Sequence, residues 1–258
     1  MRYRARVQYD GTEFAGFQAQ PGRRTVQGEL ERVLTRLGGG GRVRVSAAGR
    51  TDAGVHASGQ VIAFTWTGAM PARALGQAIG ALLPRDVSIG PLVRVPAGFD
   101  PRRAATRREY RYRIWNGPRS ALRERYVHVL SDPLDIKAMQ SAADGLVGRR
   151  DFSAYGRVQH TAMRTIYAIR VRRRGHLVTI DVTGDAFLRQ MVRSIVAGLV
   201  RIGLGRATAA DLVDALASPG RAFDGALVPA KGLDLRRVSF GSRQRPEQRQ
   251  DEGERTPR

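Results

Sequence analysis

Glu109-Tyr110-Arg111-Tyr112-Arg113-Ile114-Trp115-Asn116 alternates along its length. Tyr110, Tyr112 and Ile114 fall on one face and Arg111 and Arg113 on the other, the period of a half-buried strand. The stretch decides the fold because the succession that follows it also precedes it. Upstream, Arg2–Tyr9 alternates with Tyr3, Ala5, Val7 and Tyr9 on one face. Thr25 then caps a helix with Val26, Leu30, Val33, Leu34 and Leu37 at helical spacing, ended by Gly38-Gly39-Gly40-Gly41. Arg42–Ser46 and Gln60–Trp66 read as strands. Pro71 opens a second helix through Leu75, Ile79, Leu82 and Leu83, Pro84 closes it, and Val87–Val95 reads as a strand.

Downstream the order recurs. Asp132-Pro133 opens a helix carrying Ile136, Met139, Ala143 and Leu146. Arg164–Arg172 and His176–Thr183 form a hairpin about Arg174-Gly175. Phe187–Ile202 reads as one long helix, Thr208–Ala217 as a short one and Leu233–Phe240 as the last strand. Two β-α-β-β-α-β units in tandem predict an α+β fold: two ferredoxin-like halves, 1–106 and 107–241, joined into a central, mostly antiparallel sheet. Residues 242–258 are rich in Arg, Gln, Glu and Pro without an apolar period and are expected to be disordered.

Composition narrows the function. The chain has 258 residues, 42% of them hydrophobic, enough for a substantial core. The absence of cysteine excludes disulfide frameworks, zinc ribbons and thiolate catalysis. His56, His128, His160 and His176 show no ligand-like pairing, so no metal and no cofactor is expected. The N-terminus lacks the apolar core of a signal peptide, and no stretch is long and apolar enough to span a bilayer, so a cytoplasmic protein with no membrane partner is expected. The formal net charge of +21 points to a polyanionic partner, nucleic acid first. Almost all of that charge is arginine, Lys137 and Lys231 being the only lysines.

Four segments carry more than their local structure needs. Tyr9–Gln20 combines a tight turn, Phe14, Phe17, Gln18 and Gln20, which suits either contact with RNA or an ordered loop packed by its aromatics. Gly49-Arg50-Thr51-Asp52-Ala53-Gly54-Val55-His56 sets one carboxylate among small residues in a strongly cationic chain. Neighbouring cations hold a carboxylate ionised and aim it, though an Asx turn also uses Asp beside Gly. Tyr110 and Tyr112, flanked by Arg107, Arg108, Arg111 and Arg113, suit stacking on an exposed base, with one expected in the core and one lining a site. In Asp185–Arg193, Arg189 and Arg193 are one turn apart on the predicted helix, suited to phosphate or to a carboxylate such as Asp52.

Taken together these segments resemble the bacterial tRNA pseudouridine synthases of the A type. The matching stretches are Tyr9–Gln20, Gly49–His56, Arg108–Tyr112, Phe187–Arg193 and Pro229–Leu233, in order through nearly the whole chain. Two positions depart from the usual pattern: Arg103 follows Phe99-Asp100-Pro101-Arg102 where an aromatic is common, and Arg150 precedes Asp151-Phe152-Ser153 where His is common. The resemblance implies isomerisation of uridine to pseudouridine on the 3′ side of the tRNA anticodon stem-loop. It implies Asp52 as nucleophile or essential carboxylate, Arg193 as its salt-bridge partner, and Arg50 filling the space of a flipped uridine or holding phosphate. It also implies Tyr110 stacked on the uracil, Leu233 walling the pocket, and a homodimer with a basic cleft. The rival reading is a non-catalytic RNA-binding protein of two RRM-like halves. Intact Arg50-Thr51-Asp52 together with Arg193 separates the two, as does the lack of an RNP1-type strand.

Overall fold

A computed structural model describes residues 1–217 and 227–241. The tail read as disordered lies outside the described residues. Strand β1 (Arg2–Tyr9) buries Tyr3, Ala5, Val7 and Tyr9, as its alternation requires. Helix α1 (Val26–Leu37) starts where extended Thr25 accepts a hydrogen bond from the Gly28 amide at 3.2 Å. It buries Val26, Leu30, Val33 and Leu34, side chains worth roughly 1.5–3 kcal/mol each when removed from water. There follow β2 (Val45–Ala47), β3 (His56–Thr65), α2 (Ala72–Leu82), β4 (Val87–Ile89) and β5 (Val93–Val95). The remainder is α3 (Pro101–Ala104), β6 (Ala105–Trp115), β7 (His128–Val129), α4 (Ile136–Asp144), β8 (Gly148–Asp151), β9 (Met163–Arg174), β10 (Leu177–Gly184), α5 (Met191–Gly203), α6 (Ala209–Ala217) and β11 (Leu233–Phe240).

All eleven strands form one sheet, in the order β4-β1-β3-β11-β6-β10-β9-β8, with β2 on β3, β5 on β1 and β7 on β6. Each β-α-β-β-α-β unit has its fourth strand beside its first, then its third and its second: β4-β1-β3-β2 and β11-β6-β10-β9. The α+β expectation of a mostly antiparallel central sheet is met, with parallel pairing only at β3–β11 and β6–β7. The halves join because β2 is short. It covers β3 only from Phe64 to Ile62, and β11 takes the vacant end, pairing Asp234 with His56 and Leu235 with Ala57. The Asp234 carboxylate pins this seam, accepting from the Ser58 amide at 2.7 Å, the Ser58 hydroxyl at 3.0 Å and Arg113 at 3.0 Å. A Cβ at Gly59 would lie 1.9 Å from the Arg236 carbonyl oxygen, so only glycine lets the two strands approach.

Several boundaries differ from the sequence reading. Val87–Val95 is two short strands, β4 and β5, both on β1 but separated at Gly90-Pro91, where proline has no amide for a ladder. Arg42–Ser46 shrinks to Val45–Ala47, β3 begins at His56 rather than Gln60, and β7 and β8 were not anticipated. The largest correction concerns the helix read from Phe187. It starts at Met191, because Gln190 sits in the left-handed region with φ 69° and Arg189 is in extended backbone, its carbonyl accepting from the Arg157 amide at 3.1 Å.

Candidate active site

The loop carrying Asp52 connects β2 to β3 and is held almost entirely by the turn after β1. The Thr51 carbonyl accepts from the Phe17 amide at 3.0 Å, the Phe14 carbonyl from the Gly54 amide at 3.3 Å and the Asp52 carbonyl from the Val55 amide at 3.2 Å. Tyr9 and Thr51 share a buried hydroxyl–hydroxyl hydrogen bond of 2.8 Å. Gly16, with φ 105°, lies where a Cβ would come 2.8 Å from the Thr51 carbonyl oxygen. Phe14 and Phe17 are buried, so the aromatics of Tyr9–Gln20 are packing, while Gln18 and Gln20 line the cavity.

His56 locks this loop to the chain entering β11. Its Nδ1 accepts from the Gly11 amide at 3.0 Å and its Nε2 lies 3.1 Å from the Lys231 carbonyl oxygen. Burial pushes its pKa below the ordinary histidine value, against the pull of Asp10, whose carboxylate is 3.2 Å from Nδ1. The neutral ring with its proton on Nε2 satisfies both protein partners, and we assign that tautomer.

A cavity of about 700 Å³ opens between the two halves. It brings together all five residues singled out from the sequence: Asp52, Tyr110, Arg50, Arg193 and Leu233. Tyr110 is 8% exposed and meets Phe187 edge-on, with ring centroids 5.3 Å apart. Burial pushes its hydroxyl up to about 12; Arg108 opposes the shift and the charge of Asp52 adds to it. Tyr110 is therefore a neutral phenol at physiological pH. Tyr112, two residues on, is fully buried and donates to the Pro229 carbonyl at 2.8 Å. Leu233 is buried opposite Tyr112 in the β6–β11 register. Arg50 is exposed at the rim.

The carboxylate's partner is not the arginine the resemblance implied. Asp52 Oδ1 is 3.3 Å from Nε of Arg189, whereas Arg193 Nε donates to the Val228 carbonyl at 2.8 Å. The left-handed turn at Gln190 is the reason: it takes Arg189 off the face of α5, so Arg189 and Arg193 do not share one.

Four further arginines line the cavity: Arg102, Arg157 and Arg164, which the sequence reading did not single out, and Arg108, which opens the Arg108–Tyr112 stretch. Arg108 lies on the tyrosine face of β6, two residues before Tyr110, and is 8% exposed. Its guanidinium donates to the carbonyls of Ala48, Arg102 and Asp185, tying the Asp52 loop, α3 and the Phe187 segment together. Asp100 caps α3 through the amides of Arg102 and Arg103. Among the described residues, seven arginines thus line the cavity, and Asp52 is its one acidic lining residue. The signal that could have found them is weak, because 44 of 258 residues are Lys or Arg and no single one stands out. Among the described residues, no three His, Asp or Glu side chains are grouped to hold a metal ion, and no helix is long and apolar enough to cross a membrane.

A lone carboxylate beside a neutral phenol ring, ringed by cations, suits covalent or electrostatic chemistry on a flat heterocycle attached to a polyanion. Comparison with known proteins agrees. Residues 5–102 and 142–241 match the family model described as tRNA pseudouridine synthase. The tRNA pseudouridine synthase A of Halalkalibacterium halodurans is 40% identical over 232 residues, 88% of each chain. That of Geobacillus kaustophilus is 39% identical over 93% of this chain and 94% of its own. That of Myxococcus xanthus is 41% identical over 93% of this chain and 92% of its own. Among solved structures, a chain of the archaeal box H/ACA sRNP Nop10–Cbf5 complex covers 88% of this chain and 61% of its own, at 14% identity and a TM-score of 0.34, a likeness too loose to build on. With both halves matched and the lone carboxylate set in the cavity between them, the chain belongs to the tRNA pseudouridine synthase family, whose members are isomerases.

Proposed function

We propose that this chain isomerises uridine to pseudouridine on the 3′ side of the anticodon stem-loop of tRNA, with Asp52 as the nucleophile or essential carboxylate. The observation that carries the reading is the composition of the cavity wall: among the described residues, one acid, Asp52, and seven arginines, beside the face of Tyr110. The cations bind the backbone of a folded polyanion. The flipped uracil stacks on the Tyr110 ring, Leu233 closes the pocket below it, and Arg50 at the rim fills the vacated stack or holds phosphate. Arg189 aims the carboxylate in the free protein, and Arg193 stiffens the wall by holding the Val228 carbonyl. In the reaction the N1–C1′ bond breaks, the uracil turns, C5 bonds to C1′, the C5 proton passes to solvent and N1 takes one up, so that the product is an isomer of the substrate. No redox change or cofactor is required. The working unit is a cytoplasmic homodimer.

The test is incubation of the protein with unmodified tRNA, mapping pseudouridine by chemical tagging and primer extension. Asp52→Ala and Asp52→Asn are expected to lower turnover by about 10³-fold or more while tRNA binding survives, since phosphate contacts dominate affinity. Turnover near wild type in Asp52→Ala would remove the catalytic assignment. Sedimentation of the free protein tests the homodimer.

A further inference from the structure

Arg164 is the cavity arginine whose guanidinium carries a buried donor with no partner among the described residues. It stands at the start of β9, where Thr165 and Asp185 are cross-linked: the Thr165 amide donates to the Asp185 carboxylate at 3.0 Å and the Asp185 amide to the Thr165 carbonyl at 3.0 Å. The neighbouring Asp185 carboxylate is occupied by the amides of Thr165 and Ala186, the latter at 2.6 Å. Among the described residues the Arg164 side chain makes a single hydrogen bond, from Nη1 to the carbonyl of Met163 at 2.6 Å. Its Nε is buried and has no partner. Burial lowers the pKa of the guanidinium; Asp185 opposes this and nearby Arg102 adds to it. Arg150 faces it across the β8–β9 register. A buried N–H left unmatched destabilises a fold, and two more cations at hand add to the cost. An arginine kept under those conditions on a cavity wall is built for an anion that arrives from outside, and its forked donors match a phosphate.

We propose that Arg164, backed by Arg102, is a phosphate subsite that takes one backbone phosphodiester of the RNA whose uridine sits at Asp52. This rests on the reading of the cavity as the pseudouridine-forming site. The subsite gives one linkage a fixed place relative to the carboxylate, so its contribution is register: it sets which nucleotide reaches Asp52.

The experiment pairs protein variants with stem-loop RNAs that carry one uncharged methylphosphonate at successive linkages. In the wild type, one linkage is expected to be sensitive, raising KM and the Kd measured by fluorescence anisotropy by about tenfold. Arg164→Gln is expected to raise both by a similar factor, to leave kcat within about twofold, and to flatten the salt dependence of binding by about 0.9 in log–log slope. In Arg164→Gln the sensitive linkage should lose its effect, and Arg164→Lys should restore part of the affinity. Thermal midpoints of Arg164→Gln and Arg164→Met are expected to equal or exceed that of wild type, because each removes an unmatched buried donor. Strict additivity at every linkage, or an unchanged Kd in Arg164→Gln, overturns the subsite. A fall in thermal midpoint in both Arg164→Gln and Arg164→Met also overturns it, because the residue would then be structural. If wild type binds the RNAs and forms no pseudouridine, the function proposed above fails, while the anisotropy cycle still decides the subsite.

Discussion

The two faces of the sheet treat arginine in opposite ways. On the face turned away from the cavity, Arg111 meets Asp181 at 2.6 Å and Arg113 meets Asp234 at 3.0 Å. On the cavity side, Arg102, Arg157, Arg164 and Arg193 have no carboxylate of the described residues as an ion-pair partner within 4.0 Å, and Arg189 has Asp52. Both sets are drawn from the same residue type. A paired arginine is part of the fold. On the function proposed above, an arginine supplied without its anion is part of a binding site, and the anion is the substrate.

That contrast can be broken or sharpened by substitution. The largest effect is expected at the seam. Asp234→Ala strands Arg113 and the Ser58 amide in a buried place, and should lower stability by about 3–5 kcal/mol. That corresponds to a thermal midpoint lower by roughly 10 °C or more in a chain of this size. The salt dependence of tRNA binding by the remaining folded protein should be unchanged. A flatter slope would mean that the two faces are not independent.

Next comes Arg189. Its ion pair with Asp52 is exposed, so Arg189→Ala should leave the stability within about 1 kcal/mol of wild type. Turnover should fall roughly tenfold, through loss of aim at the carboxylate. Arg193→Ala should instead lower stability through the freed Val228 carbonyl. If Arg193→Ala takes the larger toll on kcat and Arg189→Ala takes none, the geometry of the free protein does not persist with RNA bound.

A smaller effect comes from pH. The folded state depresses the pKa of His56 and so prefers the neutral ring. Its contribution is complete above the ordinary value of about 6.5 and is lost as pH falls through the depressed value, when a second ring proton displaces the Gly11 amide. Thermal midpoints should therefore decline below about pH 6.5, and in His56→Gln, less stable throughout, the decline should be shallower, the part due to His128, whose pKa burial also lowers, remaining. An acid limb that persists unchanged in His56→Gln would place the titrating group elsewhere. The smallest effect is expected at Asp181→Asn, where Arg111 keeps a side-chain acceptor and water is near: a loss of about 1 kcal/mol or less, with tRNA affinity unmoved.

What could be read beforehand follows the range of the forces involved. α1 was legible because its cap, its apolar stripe and its terminal glycines are all local. The alternation of β1, β6 and β10 was legible for the same reason. The start of α5 was not. Phe187 to Met191 has helical spacing, and only the bridge from Arg157, 32 residues earlier, holds Arg189 extended and leaves Gln190 left-handed. Asp52, Tyr110, Arg50, Arg193 and Leu233 were singled out through their motifs. Arg164 was hidden because its distinction is a buried donor left unmatched in space, which no stretch of sequence displays.

The bond from His56 to Lys231 closes a loop of 175 residues, and β11 lies between two strands made long before it. During synthesis on a ribosome, the Asp52 loop is in place early but its pocket lacks a wall until Pro229–Leu235 emerges. The second half can pair β6, β9 and β10 locally, yet the seam waits for β11 to thread between β3 and β6. An RNA chain meeting the nascent protein finds charge without a fitted pocket. Competence for chemistry is thus one of the last properties the growing polypeptide acquires.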